Sequence, residues 1–515
     1  MRRAAVAAAA LALAAAAVGC SDDGDPRAEA RAGGSIVVAE AAPPGSLDPA
    51  LVDSPAGLRA AWLAYTPPLT YRRAEGAAGT ELVAALAEEP PTSEDGGRSY
   101  ALTLRDGLSY PNGTPLRASD VERAIARALR LSPRGSELFG GIVGARAYAL
   151  SERPGVDIEG IAVDDAAGTV EIDLETPDRM FPYALADVAA APVPPGTPLA
   201  DRTRRPPPGI GPYRVSQVRE NGDVVLTRRP DWRLAAVPAG HAREIVTRTI
   251  PERERRVRAV RDGRADIVEG EAPLRILPDV RSGGDGRYAE YPLPATLQVS
   301  IDASREPFRA ADVRRALAFA LDTRVLAQLH DGFMQPTCNM LPPAVAGYRR
   351  LDPCPFGDRS GDADLVRASE LVEAAGVDGA RVTVGGGPTA RARRLARYLA
   401  ETLRKIGLDA RLGARERAQV AFEAVAPALP HPAGFLRDDD DPVLSARVAL
   451  LTQEAAPADA AEQWAEVDAD LVENAYAAPY GVPTAGVLAS ERVDLEGCGR
   501  FHPVFGMDYS SVCLR

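Results

Sequence analysis

Lysine, histidine and cysteine are scarce in this chain, and the overall charge excludes one large class of function. The 515 residues include 4 histidines, 5 cysteines and a single lysine, Lys405, so arginine supplies nearly all of the 60 basic side chains. With 72 acidic residues, the net charge is −12. Binding to DNA or RNA requires a basic surface that releases counterions from phosphates. The sequence has no such basic stripe, and we expect no nucleic-acid partner.

The sequence patterns of common enzyme classes are also missing. None of the four histidines belongs to an HExxH pattern, and the chain contains no GxSxG, SxxK or GxxxxGK[ST] pattern. We therefore expect neither enzymatic activity nor a cofactor, and ATP hydrolysis would belong to another subunit. A secreted hydrolase with a dispersed catalytic triad stays open as an alternative.

The N-terminus has the pattern of an export signal. Two arginines precede an apolar run over residues 4–18, which is shorter than the roughly 20 residues of a bilayer-spanning helix. We interpret residues 1–20 as a secretory signal, with an N-terminal anchor helix as the alternative. Ala17-Val18-Gly19-Cys20 resembles a bacterial lipobox, whose cysteine is lipidated, although leucine is usual where Ala17 stands. Residues 21–33 are then a flexible tether.

The remaining four cysteines form two local pairs. Cys338 and Cys354 are separated by 16 positions, and Cys498 and Cys513 by 15. Outside the cytoplasm such pairs oxidise, and each loop would gain roughly 3 kcal/mol in the chain-entropy account. Of the three possible connectivities we favour these two local disulfides. The alternative is a metal site of four thiolates, which the absence of CxxC spacing disfavours.

Hydrophobic periodicity predicts strands that alternate with helices. Strands are expected near residues 35–39, 100–105, 170–174, 211–215, 223–227, 265–268, 297–301, 381–384 and 408–412. Helices are expected near residues 252–261, 311–321, 390–406 and 464–475, and from Ser119, which we expect to cap its helix in a capping box with Glu122. This alternation predicts an α/β architecture.

Five blocks of sequence follow one another in a recognisable order. They are Gly34–Val38 with Ser46-Leu47-Asp48-Pro49; Leu104–Leu108 with Asn112–Leu116 and Ala118–Val121; Gly209–Tyr213 with Leu226–Trp232; Pro307-Phe308 with Asp312–Leu317 and Ala320–Asp322; and Leu371–Gly376 with Lys405–Leu408. Over residues 33 to about 485 this combination resembles the family 5 extracellular solute-binding proteins, which serve ABC importers of peptides, nickel complexes and related solutes. Asn112 stands where the family usually has aspartate.

The resemblance implies two hinged α/β lobes, with an extra subdomain inserted in the first. Lobe I would comprise residues 33–66, 205–285 and 486–515, the inserted subdomain residues 67–204, and lobe II residues 286–485. The chain crossings near 285 and 485 would be the hinge.

The resemblance also implies a function. A monomer anchored by lipid at Cys20 to the outer face of the cytoplasmic membrane would close on a small solute, such as a peptide, and deliver it to an ABC permease. A surface receptor or chaperone of the same fold, working without an importer, is the alternative.

The resemblance also suggests candidate ligand contacts. Asp53 and Ser54, after the Ser-Leu-Asp-Pro block, stand where peptide-binding members line the cleft, although Asp53 also fits a solvated loop. Peptide-binding members place an aspartate for the α-amino group where this chain has Ala428. A free amine would lose a charge-assisted hydrogen bond of roughly 1.5–3 kcal/mol there. The preference for ordinary free-amine peptides is therefore open.

Three further side chains and one acidic run complete the candidates. His431 could contact ligand or be an ordinary buried histidine, and Phe139 and Phe422 fit either a cleft or a core. Asp438–Asp441 could attract a cation or be a solvated loop, and we expect no metal centre.

Overall fold

The fold is taken from a computed structural model. It describes residues 33–93, 95–151, 157–270, 276–282, 286–357, 362–436, 442–454 and 456–515. The expected signal sequence with Cys20, and Asp438–Asp441, lie outside the described residues. Among the helices that the structure describes, none combines the length and the apolar character that crossing a membrane requires.

Strands occur throughout the described chain. They are β1 (Ser35–Glu40), β2 (Leu69–Tyr71), β3 (Leu82–Ala84), β4 (Ser99–Thr103), β5 (Ile161–Asp164), β6 (Thr169–Asp173), β7 (Tyr213–Val218), β8 (Val224–Arg228), β9 (Glu244–Thr249), β10 (Ile267–Gly270), β11 (Tyr288–Pro292), β12 (Thr296–Ile301), β13 (Met334–Pro336), β14 (Arg381–Gly385), β15 (Asp409–Gly413), β16 (Val420–Val425), β17 (Ala477–Ala489), β18 (Phe501–His502) and β19 (Gly506–Met507).

Helices alternate with these strands. They are α1 (Pro55–Ala64), α2 (Ala118–Leu131), α3 (Pro133–Phe139), α4 (Ala145–Leu150), α5 (Phe181–Leu185), α6 (Arg253–Arg261), α7 (Leu277–Ser282), α8 (Ala311–Phe319), α9 (Thr323–Leu329), α10 (Leu365–Ala374), α11 (Ala390–Lys405), α12 (Pro442–Glu454), α13 (Ala461–Glu473) and α14 (Leu495–Cys498).

The expected β-α-β unit is confirmed. β14 and β15 pair in parallel, in the register Arg381 to Asp409, and α11 connects them. Gly407 follows the helix with a φ of +99°, the left-handed conformation that glycine adopts at low cost.

The expected cap of α2 is wrong by two residues, because Arg117 rather than Ser119 is the N-cap residue. Asp120, rather than Glu122, closes the first turn, because its carboxylate accepts hydrogen bonds from the backbone N–H of Arg117 at 3.2 Å and from the hydroxyl of Tyr110 at 3.1 Å. The Ser119 hydroxyl instead donates to a carboxylate oxygen of Asp165 at 3.0 Å.

One large mixed sheet joins both ends of the molecule through β17. The strand order is β15-β14-β16-β12-β17-β10-β1-β9-β8-β7, and β11 and β13 also pair with β17. The first half of β17 pairs with β12, from Ala477 to Gly481, and the second half pairs with β10 and β11, from Thr484 to Ala489. The central strand β1 lies between two parallel strands and is correspondingly apolar.

Three large hydrophobic cores, beside two smaller clusters, organise the described chain. One extends from Leu297 to Tyr480 in lobe II, and another from Ile36 to Val512 in lobe I. The third, between Leu69 and Val237, belongs to the inserted subdomain and also includes Trp232 from the segment expected in lobe I. The exact domain boundaries stay predictions.

A buried ion pair ties the inserted subdomain to lobe I. Asp48 and Arg127 are both completely buried, and Nη2 of Arg127 lies 2.5 Å from Oδ2 of Asp48. The same carboxylate accepts hydrogen bonds from the backbone N–H groups of Arg202 at 3.1 Å and Ala50 at 3.2 Å. The aspartate of the Ser-Leu-Asp-Pro block therefore connects three distant parts of the chain.

Removing this carboxylate should destabilise the protein strongly. Asp48→Ala leaves the Arg127 guanidinium buried without its counter-charge, and we expect the free energy of unfolding to fall by about 3–5 kcal/mol. Guanidinium chloride titrations followed by circular dichroism measure the change. The control is Asp262→Ala, which breaks an exposed pair with Arg264 and should cost less than about 1 kcal/mol. Equal losses in the two variants would contradict a structural role for the Asp48 pair.

Candidate functional site

Two adjoining cavities lie between the inserted subdomain and lobe II. The smaller cavity has a volume of about 450 Å³ and the larger cavity about 990 Å³. Both are lined by Met180, His431 and Thr452, so they form one continuous space. Ligand sites of small molecules span roughly 300–1,000 Å³, and these volumes fall in that range.

The smaller cavity is bounded by polar side chains from two parts of the fold. The inserted subdomain contributes Tyr100 from β4, Arg179 from the segment that leads into α5, and Tyr183 on α5. Lobe II contributes His431, which follows β16, and Thr452 on α12. A molecule in this space would touch both parts of the protein.

His431 is held as a neutral imidazole that can donate a hydrogen bond. Its Nδ1 accepts the backbone N–H of Ala433 at 3.2 Å, so the ring proton resides on Nε2. Burial lowers the pKa of His431 to about 4, and the side chain is only 2% exposed. Tyr183 and Trp464 meet the ring edge-on, with centroids 5.9 and 5.6 Å away. Nε2 has no protein partner in the described part of the chain, and it belongs to a residue that lines both cavities.

Tyr183 and Arg179 also present unused donors. The Tyr183 side chain is 8% exposed, burial raises its pKa, and its hydroxyl has no hydrogen-bond partner among the described residues. Arg179 is exposed and forms no ion pair with any described residue. By contrast, Tyr100 donates to the carbonyl oxygen of Asp178 at 2.7 Å and is already satisfied.

The larger cavity is mainly a lobe II feature. Glu423 to Leu429 form one wall, and α12 forms another. Among the described residues that line it, Glu423 is the charged one, and its carboxylate is 3.5 Å from the side-chain amide of Gln298. Ala428, where peptide-binding relatives place an aspartate, is exposed in this wall.

The structure separates the candidates that the sequence suggested. His431 lines both cavities. Asp53 is exposed and lines neither of the two. Ser54 caps α1, since its Oγ accepts the N–H of Gly57 at 3.0 Å and donates to the carbonyl of Pro44 at 2.5 Å.

The two phenylalanine candidates need correction. Phe139 is 0% exposed in the core of the inserted subdomain, where close packing leaves no access for a ligand. Phe422 is half-buried against the edge of Tyr480, with ring centroids 5.3 Å apart, and lines neither cavity. Its neighbour Glu423 has the opposite orientation, as alternation along β16 requires, and faces the larger cavity.

The sequence did not point to Arg179, Met180, Tyr183, Glu423 or Thr452. One usable signal is the local density of large side chains in Arg179–Tyr183, in a chain with 5% aromatic residues. No sequence pattern marks Glu423 as a site residue, because its position next to a cavity depends on tertiary packing.

The cysteines lie in the two local pairs that the sequence favoured. Cys338 pairs with Cys354 and Cys498 with Cys513, with Cα atoms 6.0 and 5.8 Å apart. The alternative of a four-thiolate metal site is wrong, because the sulfur atoms are bonded to each other within each pair. Asp494 lies beside the second pair, whose sulfur atoms are already bonded to each other.

A family model matches most of the chain. Residues 81–431 match the bacterial extracellular solute-binding proteins, family 5. The chain belongs to this family. The resemblance that the five sequence blocks indicated is thereby confirmed.

Individual relatives are distant. The glutathione-binding protein GsiB of Salmonella typhi is 25% identical over 349 residues, which cover 66% of this chain and 62% of GsiB. The oligopeptide-binding protein OppA of Bacillus subtilis is 22% identical over 301 residues, which cover 56% of this chain and 53% of OppA. The matched region is thus less than two thirds of the length of either relative.

Solved structures establish the fold. The periplasmic murein tripeptide-binding protein MppA, in its unliganded open form, superimposes with a TM-score of 0.80 at 19% identity, over 93% of this chain and 97% of MppA. The expected fold class, a two-lobed α/β binding-protein fold with a subdomain inserted in the first lobe, is confirmed.

His431 should make stability depend on pH. Its pKa is about 4 in the folded protein and about 6.5 in the unfolded chain, so the unfolded chain binds the proton first. The stability that His431 gives above pH 6.5 is therefore lost as the pH falls toward 4, by a total of about 3 kcal/mol.

The variant His431→Gln can still accept the Ala433 N–H but cannot titrate. Urea unfolding of both proteins between pH 4 and 7.5 should show the wild type losing more stability on acidification. His502, whose pKa burial lowers to about 3, remains in both proteins and cancels in the comparison. Identical pH profiles would mean that His431 is not held neutral.

Proposed function

We propose that this chain is the substrate-binding lipoprotein of an ABC importer. It captures a peptide or another small solute outside the cytoplasm and delivers it to a membrane permease. The observation that carries the proposal is the continuous space between the inserted subdomain and lobe II, in which Nε2 of His431 and the hydroxyl of Tyr183 have no hydrogen-bond partner among the described residues. Buried polar groups are normally hydrogen-bonded, so groups without a partner at a cavity are consistent with a ligand that supplies one.

Binding and closure are coupled through the shared strand β17. A ligand that touches both walls has a higher affinity for the closed arrangement, in which both sets of contacts form. The hinge lies where β17 passes from β13 in lobe II to β10 in lobe I, between Pro483 and Gly486. The proposed boundaries of lobe I, the inserted subdomain and lobe II remain those expected from the family resemblance.

The names of the relatives support a peptide-like solute. Those proteins are described as binding glutathione, oligopeptides and a murein tripeptide. Ala428 leaves the usual α-amino position without a carboxylate, and Glu423 in the same wall offers a carboxylate five residues earlier. A cationic group of the solute would then lie next to Glu423, within β16, rather than at the position of Ala428, where relatives have the aspartate.

The proposal predicts a discrete ligand and a conformational change. Residues 21–515, purified from an exporting bacterial host, should carry a small molecule in native mass spectra that leaves on denaturation. Adding the released molecule back to stripped protein should reduce the radius of gyration in small-angle X-ray scattering. A bound molecule that produces no compaction would favour the receptor alternative, and failure to retain or bind any peptide, metal chelate, sugar or amine would contradict the proposal.

The lipid anchor at Cys20 is a second part of the proposal. Lipidation would place the binding protein on the outer face of the cytoplasmic membrane and raise its concentration near the permease. Cys20→Ser should therefore move the full-length chain from the membrane fraction to the soluble fraction of a bacterial host. A clickable fatty acid should label the wild type and not the variant. If the variant stays in the membrane fraction, the N-terminal anchor helix would be the correct interpretation.

A further inference from the structure

The smaller cavity has more hydrogen-bond donors than acceptors to offer a ligand. Arg179, Tyr183 and His431 each present a polar hydrogen without a partner in the described part of the chain. We infer that this cavity receives an anionic oxygen-bearing group of the solute, a carboxylate in the first instance, held by these three side chains. The inference rests on the proposed function and specifies the ligand chemistry of the same site.

The charges around the smaller cavity favour an anion over a cation. Among the described residues that line it, Glu81 is the acidic one and Arg179 the basic one. Glu81 is already neutralised by Arg72, whose Nε lies 2.8 Å from the Glu81 carboxylate. Arg179 has no such partner, so the charge left for a ligand is positive. An ionised acceptor gains a charge-assisted hydrogen bond there, about twice as strong as one between neutral groups.

Two of the donors are fixed before the ligand arrives. The hydrogen bond from Ala433 keeps the Nε2 proton of His431 in place, and the rings of Tyr183 and Trp464 restrict rotation of the imidazole. Tyr183 is itself nearly buried, so its hydroxyl has little access to bulk water. Preorganised donors lose less conformational entropy on binding, which increases affinity for the matching acceptor.

The three donors come from opposite walls. Arg179 and Tyr183 belong to the inserted subdomain, and His431 belongs to lobe II. One carboxylate contacted by both walls would link them directly. The rest of the solute would extend into the larger cavity, where Glu423 is the charged residue among the described wall residues. The cleft thus separates a positive subsite from a negative one.

The test compares two randomised tripeptide libraries of the same composition, one with free C-terminal carboxylates and one with C-terminal amides. Purified residues 21–515 are incubated with both in competition, and bound peptides are weighed by native mass spectrometry. A retained peptide and its amide are then titrated calorimetrically. The carboxylate form should bind about 10- to 100-fold more tightly, as expected for a lost charge-assisted hydrogen bond.

Variants assign the preference to the cavity. Arg179→Gln should reduce the acid-to-amide ratio of affinities to within about threefold, and Tyr183→Phe should reduce it partly. Arg146→Gln is the matched control, because Arg146 is an exposed arginine of the same subdomain that lines neither cavity. Its ratio should equal that of the wild type.

The possible outcomes are distinct. Equal binding of acids and amides by the wild type, or an unchanged ratio in Arg179→Gln, overturns the inference and leaves the binding function intact. If neither library is retained, both the peptide form of the proposed function and this inference fail. If Arg179→Gln loses the acid-to-amide ratio of affinities and Arg146→Gln keeps it, the carboxylate subsite is correctly assigned to the smaller cavity.

Discussion

The arrangement of the whole molecule depends on one strand, β17, that belongs to both lobes. Backbone hydrogen bonds attach its first half to lobe II and its second half to lobe I. The sheet is therefore continuous from one lobe to the other. Glycines permit the close pairing, since a Cβ at Gly481 would lie 2.4 Å from Sδ of Met334, and one at Gly486 would lie 2.6 Å from the Tyr288 hydroxyl. Within β17, relative motion of the lobes must therefore occur through the few residues between these two pairings.

The inserted subdomain reaches the cleft through a second buried connection. The pair formed by Asp48 and Arg127 fixes α2 to lobe I, and α5 packs in the same hydrophobic core as α2. Tyr183 lies on α5, and Arg179 lies just before it. The donors on this side of the smaller cavity are thus positioned by a completely buried ion pair that lines neither cavity. Substitutions of Asp48 or Arg127 are therefore expected to affect ligand binding only by displacing Arg179 and Tyr183 or by destabilising the fold.

Much of the fold could be predicted from sequence because the recognisable blocks perform structural tasks. Asp48 is a buried counter-charge, and Asp120 satisfies a helix N-terminus. Gly209 and Gly211 lie so close to the end of α1 that a Cβ on either would be within 2.7 Å of backbone atoms of Ala64. These demands are local or steric, and they allow few residue types. They leave a readable pattern, from which the family and its two-lobed architecture follow.

The residues of the candidate site could not be predicted in the same way, because no local demand fixes them. Arg179 and Tyr183 lie more than 240 positions before His431, and only packing of the inserted subdomain against lobe II brings them together. Glu423 and Ala428 share one wall, yet backbone pairing of β16 would tolerate many other side chains there. The residues that connect the parts of the fold differ from the residues that line the two cavities. The charges of the cavity walls can therefore change while the fold stays constant. The family resemblance therefore predicts a binding protein, whereas the solute must be inferred from the donors and acceptors that the cleft leaves without partners.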